Sequence, residues 1–162
     1  MTTRVLGIDP GTAVTGYGVV EMASDRDTRL VECGVIRTVV RQPLEQRLVT
    51  LHDGVTELIV RHQPVALALE GVFYAKNVRT TITLGHTRGV ILLAAAQAGI
   101  PVAEFTPATV KKTVVGSGRA VKGQVGFMVQ KLLRLAAPPE PDDAADGVAL
   151  ALTYLLTGSR VP

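Results

Sequence analysis

The pattern of apolar and polar residues over the first forty positions predicts three β-strands: a buried apolar one, one that contains glycines, and one in which apolar and polar residues alternate. Strands are expected at 4–9, 15–21 and 30–38, separated by a Pro-Gly turn and by a polar hairpin loop at 24–27. Consecutive strands with such short connections are typical of an antiparallel meander. The second strand carries two glycines, which permit another backbone to approach it closely.

The rest of the chain alternates between helical and strand-like patterns. Two short apolar strands are predicted at 65–70 and 101–105. Helices are predicted at 43–62, 77–98, 106–115, 121–135 and 142–156. The fourth and fifth strands each follow a helix, which makes their connections parallel crossovers. We therefore predict a single α/β domain over residues 1–162. Its mixed five-stranded sheet has three antiparallel and two parallel strands, with helices on both faces.

Four carboxylates lie at positions that this topology brings together. Asp9 ends the first strand and Glu70 ends the fourth, and a right-handed crossover makes these two strands neighbours. Asp143 and Asp146 are three residues apart and share one face of the last helix. Carboxylates this close repel one another, and a divalent cation is the usual resolution. Hard oxygen ligands favour Mg²⁺ or Mn²⁺ over zinc and suit two-metal phosphodiester hydrolysis.

Each of these acids also has an ordinary structural explanation. Asp9 could close the Pro-Gly turn through its own side chain, and Glu70 could reach solvent at the rim of the sheet. Acids in the first turn of a helix complement its dipole, and Asp142 would be a good N-cap there. The metal-site interpretation is favoured because four acids from three separated segments converge.

Charge is distributed unevenly along a chain whose formal net charge is +3. Residues 71–139 hold nine Lys or Arg and one acid, Glu104, whereas acids outnumber bases on either side. This basic middle indicates a polyanion-binding surface such as one for nucleic acid, or else a solvated charged face.

A single cysteine excludes a disulfide framework and a cysteine-rich zinc site. With no visible signal peptide and no apolar run long enough for a bilayer, we expect a cytoplasmic protein without membrane partners.

Eight short motifs occur in a characteristic order along nearly the whole chain, from about residue 4 to residue 157. They are LGIDPGT at 6–12, TGYGV at 15–19, QP at 63–64, EGVFYAKN at 70–77, RGV at 88–90, VKKTVVGSG at 110–118, KGQV at 122–125 and DAAD at 143–146. In these motifs the chain resembles the crossover (Holliday) junction endonuclease family RuvC. The resemblance implies an RNase H-like fold and a homodimer. It also implies Mg²⁺-dependent, paired symmetric nicking of four-way DNA junctions in recombination and repair, leaving 5′-phosphate and 3′-hydroxyl ends, in cooperation with the RuvA and RuvB branch-migration proteins.

The resemblance also assigns roles to individual residues. The family's four catalytic acids fall on the four carboxylates already singled out, which would hold two Mg²⁺ ions, with Mn²⁺ as a substitute. Lys111 and Lys122 match its functional lysines, and Lys122 would act at the scissile phosphate. Phe73 would stack on an unpaired base at the crossover with Tyr74 as a helper, although two neighbouring aromatics are otherwise typical of a core. Further candidates for DNA contact are Lys76, Asn77, Arg79, Lys112 and Arg119.

The helix predicted at 77–98 contains no acidic residue, and its second half is apolar on more than one face. Another element or another subunit must cover it, and we expect it to form the dimer surface.

Two other functions stay open at this point: a non-catalytic junction-binding protein and a related RNase H-like nuclease that acts on RNA. An actin-like or sugar-kinase ATPase shares a motif like that at 9–12 but needs two lobes, for which 162 residues give no room.

Overall fold

The computed structural model describes residues 1–71 and 77–158. Five strands form one sheet: β1 (Thr2–Asp9), β2 (Val14–Ala23), β3 (Thr28–Arg37), β4 (Ala66–Glu70) and β5 (Val102–Phe105). Five helices accompany it: α1 (Leu44–His62), α2 (Val78–Gln97), α3 (Pro107–Val115), α4 (Lys122–Leu132) and α5 (Asp142–Thr157). No helix within the described residues combines the length and the hydropathy needed to cross a membrane.

The strands are ordered β3-β2-β1-β4-β5 across the sheet. β1 pairs antiparallel with β2, and β2 with β3, whereas β4 pairs parallel with both β1 and β5. The predicted meander followed by two parallel crossovers is therefore confirmed. Ile8 lies opposite Leu69 in the parallel pair, so the next residue of each strand, Asp9 and Glu70, reaches the same edge of the sheet.

Side chains alternate between the two faces of the sheet and build a separate core on each. Leu6 and Ile8 of β1 pack with α1 and α2, where Leu51, Val55 and Ile91 are buried. The opposite face packs against α3, α4 and α5 through a second cluster. Its members include Val5, Val20, Ala68, Val110, Val129 and Leu152. Helices on both faces confirm the predicted layers, and they leave the strand ends at the sheet edge accessible to a site.

α5 crosses the sheet over glycines of β1 and β2. A Cβ atom built on Gly16 would lie 1.8 Å from the carbonyl oxygen of Asp143, and one on Gly18 would lie 2.5 Å from the Cα of Val148. Gly7 makes a similarly close approach to α5, with 2.0 Å between its Cβ position and the carbonyl oxygen of Gly147. Only glycine permits these distances, and they bring the first turn of α5 down to the end of β1.

The helix boundaries follow the predicted signals with two corrections. Thr106 caps α3 as expected, since its Oγ1 accepts a hydrogen bond from the Thr109 N–H at 3.1 Å. α4 ends at Leu132 instead of at 135, before Arg134 adopts a positive φ of 54°. Asp142 is the first residue of α5, and Pro141 occupies the N-cap position, so the interpretation of Asp142 as the cap is wrong.

Candidate active site

Three of the predicted acids converge where β1 meets the start of α5. One carboxylate oxygen from each of Asp9, Asp143 and Asp146 lies within 4.8 Å of the other two. All three residues are half-buried. The cluster arises because β1 ends at this edge, and because the glycine contacts of β2 set the first turn of α5 directly against it.

Glu70 joins this cluster from the neighbouring parallel strand. Its side chain shares a hydrogen bond with Asp9, and it lines a cavity of about 210 Å³ together with Asp146 and Lys111. The structure thus brings together all four carboxylates that the sequence singled out. The alternative in which the Glu70 side chain reaches solvent at the rim of the sheet is not what the structure shows, because this side chain bonds with Asp9.

The electrostatics of the cluster explain why it is suited to a cation. Burial, the charge of Glu70 with its hydrogen bond, and the charge of Asp143 raise the pKa of Asp9 from 3.8 to about 8. A hydrogen bond with Asp146 acts in the opposite direction. Without a cation, the Asp9 carboxyl therefore keeps its proton at a pH where an ordinary aspartate is ionised. A set of hard carboxylate oxygens at this separation fits Mg²⁺ or Mn²⁺, either of which would neutralise the repulsion.

The loop after β1 is closed without the Asp9 carboxylate. The Gly11 N–H donates to Thr15 Oγ1 at 3.3 Å, and the Thr15 hydroxyl donates to the Gly11 carbonyl at 3.0 Å. The Arg47 guanidinium and the Thr38 hydroxyl both donate to the Thr12 carbonyl and fix the far side of the loop. These bonds close the loop through Thr15, Thr38 and Arg47, and the Asp9 carboxyl group hydrogen-bonds with Glu70 and Asp146.

The predicted basic residues occupy different positions around the acids. Lys111 lines the cavity beside Glu70 and Asp146, whereas Lys112 is exposed on α3. Arg119 is exposed in the turn between α3 and α4, and Lys122 is the first residue of α4. The structure places Lys111 beside the carboxylates, whereas the side chain of Lys122 lies outside the described part of the chain.

The remaining predicted DNA contacts lie in and after the segment that follows Glu70. Phe73, Tyr74 and Lys76 fall outside the described residues. Asn77 and Arg79 are exposed at the beginning of α2. The Asn77 side chain accepts a hydrogen bond from the Arg79 N–H at 2.8 Å, so Asn77 caps this helix.

Arg88 belongs to the RGV motif at 88–90, but the sequence alone predicts no individual role for it. In the structure its guanidinium donates to the backbone carbonyl of Glu70 and to Glu104 Oε1. The signal that could have found this contact is the charge pattern. Glu104 is the one acid in the basic middle of the sequence, and it lies close to the end of its strand.

Comparisons with known proteins agree with this geometry. The model of the family described as crossover junction endodeoxyribonuclease RuvC matches residues 5–154. A crossover junction endodeoxyribonuclease RuvC from Pelotomaculum thermopropionicum is 51% identical over 150 residues, covering 93% of this chain and 91% of the relative. One from Halorhodospira halophila is 51% identical over 152 residues, covering 94% and 89%.

Solved structures show the same relationship. The structure of T. thermophilus RuvC in complex with a Holliday junction substrate superposes with a TM-score of 0.90 at 35% identity, covering 96% of this chain and 94% of that one. The yeast mitochondrial Holliday junction resolvase Ydc2 matches with a TM-score of 0.65 at 16% identity, covering 94% and 79%. The second match shows a shared fold alone.

Proposed function

We propose, on the basis that this chain belongs to the crossover junction endodeoxyribonuclease RuvC family, that it resolves four-way DNA junctions as a structure-selective endonuclease. The observation that carries the proposal is the convergence of Asp9, Glu70, Asp143 and Asp146 at one sheet edge. Support comes from the T. thermophilus relative, whose structure contains a Holliday junction substrate. As a single-domain enzyme of the cytoplasm, it would serve DNA recombination and repair.

The four carboxylates are the proposed ligands of two Mg²⁺ ions, which Mn²⁺ could replace. When bound, the metal supplies positive charge to the attacking and leaving oxygens of the phosphodiester. Asp9 would be the ligand shared by both ions, and its hydrogen bonds with Glu70 and Asp146 support that role. Cleavage would leave a 5′-phosphate and a 3′-hydroxyl.

Basic, polar and aromatic residues from several segments would form the proposed DNA surface. Lys111 and Lys122 would hold the scissile and flanking phosphates, and Phe73 with Tyr74 would stack on an unpaired base of the opened junction. These roles rest on the family resemblance. Further phosphate contacts are proposed for Lys76, Asn77, Arg79, Lys112 and Arg119.

Lys111→Gln should weaken junction binding and make it less sensitive to salt. Lys111 lies beside Glu70 and Asp146, where a phosphate must approach. Losing one phosphate contact should reduce the slope of log K against log salt by about 1. Fluorescence anisotropy at several salt concentrations, without divalent metal, measures this slope. Arg26→Gln, in the hairpin at the opposite edge of the sheet, is the matched control. An unchanged slope for Lys111→Gln would remove Lys111 from the DNA surface.

A homodimer is proposed through the exposed face of α2. Val78, Ile82 and Leu93 are apolar and exposed there. Cβ atoms built on Gly85 and Gly89 would meet no described residue within 4 Å, so another helix could approach this face closely. A two-fold axis suits paired symmetric nicks because two equivalent sites then face opposing strands.

RuvA and RuvB are the proposed partners in branch migration.

Replacing both Ile82 and Leu93 by glutamate should separate the protomers. These side chains are 56% and 51% exposed in the single chain, and charges there would be buried without partners in a dimer. We expect a monomer by light scattering at micromolar concentration and at least a tenfold loss of paired nicking. Val49→Glu, on the exposed face of α1, should leave the dimer intact. A double variant whose mass by light scattering is still that of a dimer would exclude this face of α2 as the dimer interface.

Substrate selectivity tests the proposed function against its alternatives. A synthetic four-way junction, a linear duplex and an RNA–DNA hybrid of matching sequence are incubated with the protein in Mg²⁺. The proposal expects cleavage of the junction and little of the other two. Preferential cleavage of the hybrid would indicate an RNase H-like nuclease acting on RNA. Tight junction binding without any cleavage would indicate a non-catalytic junction-binding protein.

A further inference from the structure

Arg88 connects α2 to the strand that carries Glu70. One end of its guanidinium donates to the backbone carbonyl of Glu70, and the other donates to Glu104 Oε1 at 2.7 Å. The Arg88 side chain is only 13% exposed, so its bond to the Glu70 carbonyl is partly shielded from water, whereas Glu104 is 43% exposed. One side chain therefore links three elements, α2, β4 and β5, directly behind a candidate metal ligand.

The backbone at the end of β4 is held from both sides. The Gly71 N–H donates to the carbonyl of Phe105 in β5 at 2.7 Å, and Arg88 holds the preceding carbonyl, that of Glu70. Glu104 is the neighbour of Phe105, so both supports depend on the same strand. Together these two bonds hold the backbone from which the Glu70 side chain projects.

The contact from Arg88 is made across an incompletely packed region. A cavity of about 190 Å³ lies between α2 and the strand ends, with Pro10, Glu70, Gly85 and Arg88 among its lining residues. Arg88 borders this space, and its guanidinium links α2 to the end of β4 there. Arginine suits this task because its planar fork can bond a carbonyl and a carboxylate at once, whereas lysine presents one compact ammonium group.

We propose that Arg88 is a positioning residue that sets Glu70 in its metal-binding orientation, and that Glu104 holds Arg88 in place. This inference rests on the proposed function, since it deepens the account of the same metal site. It also connects α2, the helix of the proposed dimer face, to a metal ligand. Residues that orient metal ligands from outside the first coordination sphere typically contribute about 10- to 100-fold in metal affinity or activity.

Metal binding without DNA tests the inference directly. Mn²⁺ affinity is measured by electron paramagnetic resonance on the wild-type protein and on the Arg88→Gln, Arg88→Lys and Glu104→Gln variants. We expect at least about a tenfold loss of affinity for Arg88→Gln, a partial loss for Arg88→Lys and a smaller loss for Glu104→Gln. Arg88→Gln combined with Glu104→Gln should lose no more than Arg88→Gln alone, because both act through one contact.

Junction cleavage gives the second readout. The Mg²⁺ concentration for half-maximal cleavage should rise most for Arg88→Gln and less for Arg88→Lys and Glu104→Gln. Junction binding without metal should stay at the wild-type level in all three variants. Arg61→Gln removes an arginine ion-paired on α1 and should change neither quantity. Glu104 is 43% exposed, so Glu104→Gln should fold even if Arg88→Gln does not.

Two results would overturn the role assigned to Arg88. One is wild-type Mn²⁺ affinity in both Arg88→Gln and Glu104→Gln. The other is a loss of metal-free junction binding that parallels the loss of cleavage, which would make Arg88 a DNA contact. Failure of the proposed function is distinguishable, because the wild-type protein would then bind Mn²⁺ yet leave four-way junctions uncut.

Discussion

Asp9→Asn is expected to abolish Mg²⁺-dependent junction cleavage, by about a thousandfold or more. The amide keeps the shape of the side chain but removes the charge at the residue that hydrogen-bonds with both Glu70 and Asp146. Junction binding without metal should persist, since the DNA surface is left unchanged. Gel-based cleavage assays and anisotropy measure the two effects separately. Asp25→Asn, in the hairpin at the opposite edge of the sheet, should cleave normally. A variant that still nicks junctions at the wild-type rate would contradict the assigned site.

The same substitution should stabilise the metal-free protein. Burial and the charges of Glu70 and Asp143 make the ionised form of Asp9 unfavourable in the folded state. Asparagine cannot ionise, so the folded state no longer has to hold a charge at this position or take up a proton to neutralise it. Thermal melts in a chelator should therefore show a higher Tm for Asp9→Asn than for the wild-type protein. Added Mg²⁺ should raise the Tm of the wild-type protein more than that of the variant.

Gly16→Ala is expected to produce the largest loss of stability, about 3 kcal/mol. The new methyl group would lie 1.8 Å from the Asp143 carbonyl oxygen and 3.0 Å from the Asp143 Cα. Both atoms belong to the backbone, so α5 itself must move away from the sheet. Displacing a catalytic group by about 1 Å can cost about 100-fold in rate, and Asp143 moves with its helix.

Urea denaturation and cleavage assays measure the two consequences of Gly16→Ala. Gly126→Ala is the matched control, because among the described side chains a Cβ there meets only that of Pro138, at 3.9 Å. That change replaces glycine by a better helix former in α4 and should be neutral or slightly stabilising. If Gly16→Ala unfolded at the wild-type urea concentration and cleaved normally, the close contact between β2 and α5 could not be what positions Asp143.

The sheet and the convergence of the acids were predictable because both follow from local patterns and one topological rule. Alternating apolar residues identified the strands, and the right-handed crossover made β1 and β4 neighbours. Asp9 and Glu70 end these strands, so their proximity needed no knowledge of side-chain packing. The glycines of β2 likewise indicated a close backbone approach, and the structure shows α5 as the element that makes it.

The Arg88 contact could not be predicted in this way. It joins a helical side chain to a backbone carbonyl eighteen residues away, and such a bond leaves no periodicity in the sequence. The end of α4 was missed for a related reason. The apolar pattern continues to Leu135, but Arg134 adopts a positive φ that the pattern does not encode. The Asp142 cap was wrong because Pro141 occupies that position, although acids in the first turn still complement the helix dipole.

Mapping the nicks on a four-way junction tests the central claim most directly. Each of the four strands is labelled in turn, and the wild-type protein is added with Mg²⁺. The account predicts nicks at symmetric positions on two opposing strands of the same junction, with ends that DNA ligase seals without further processing. Unpaired nicks scattered over all four strands, or ends that ligase cannot join, would contradict it.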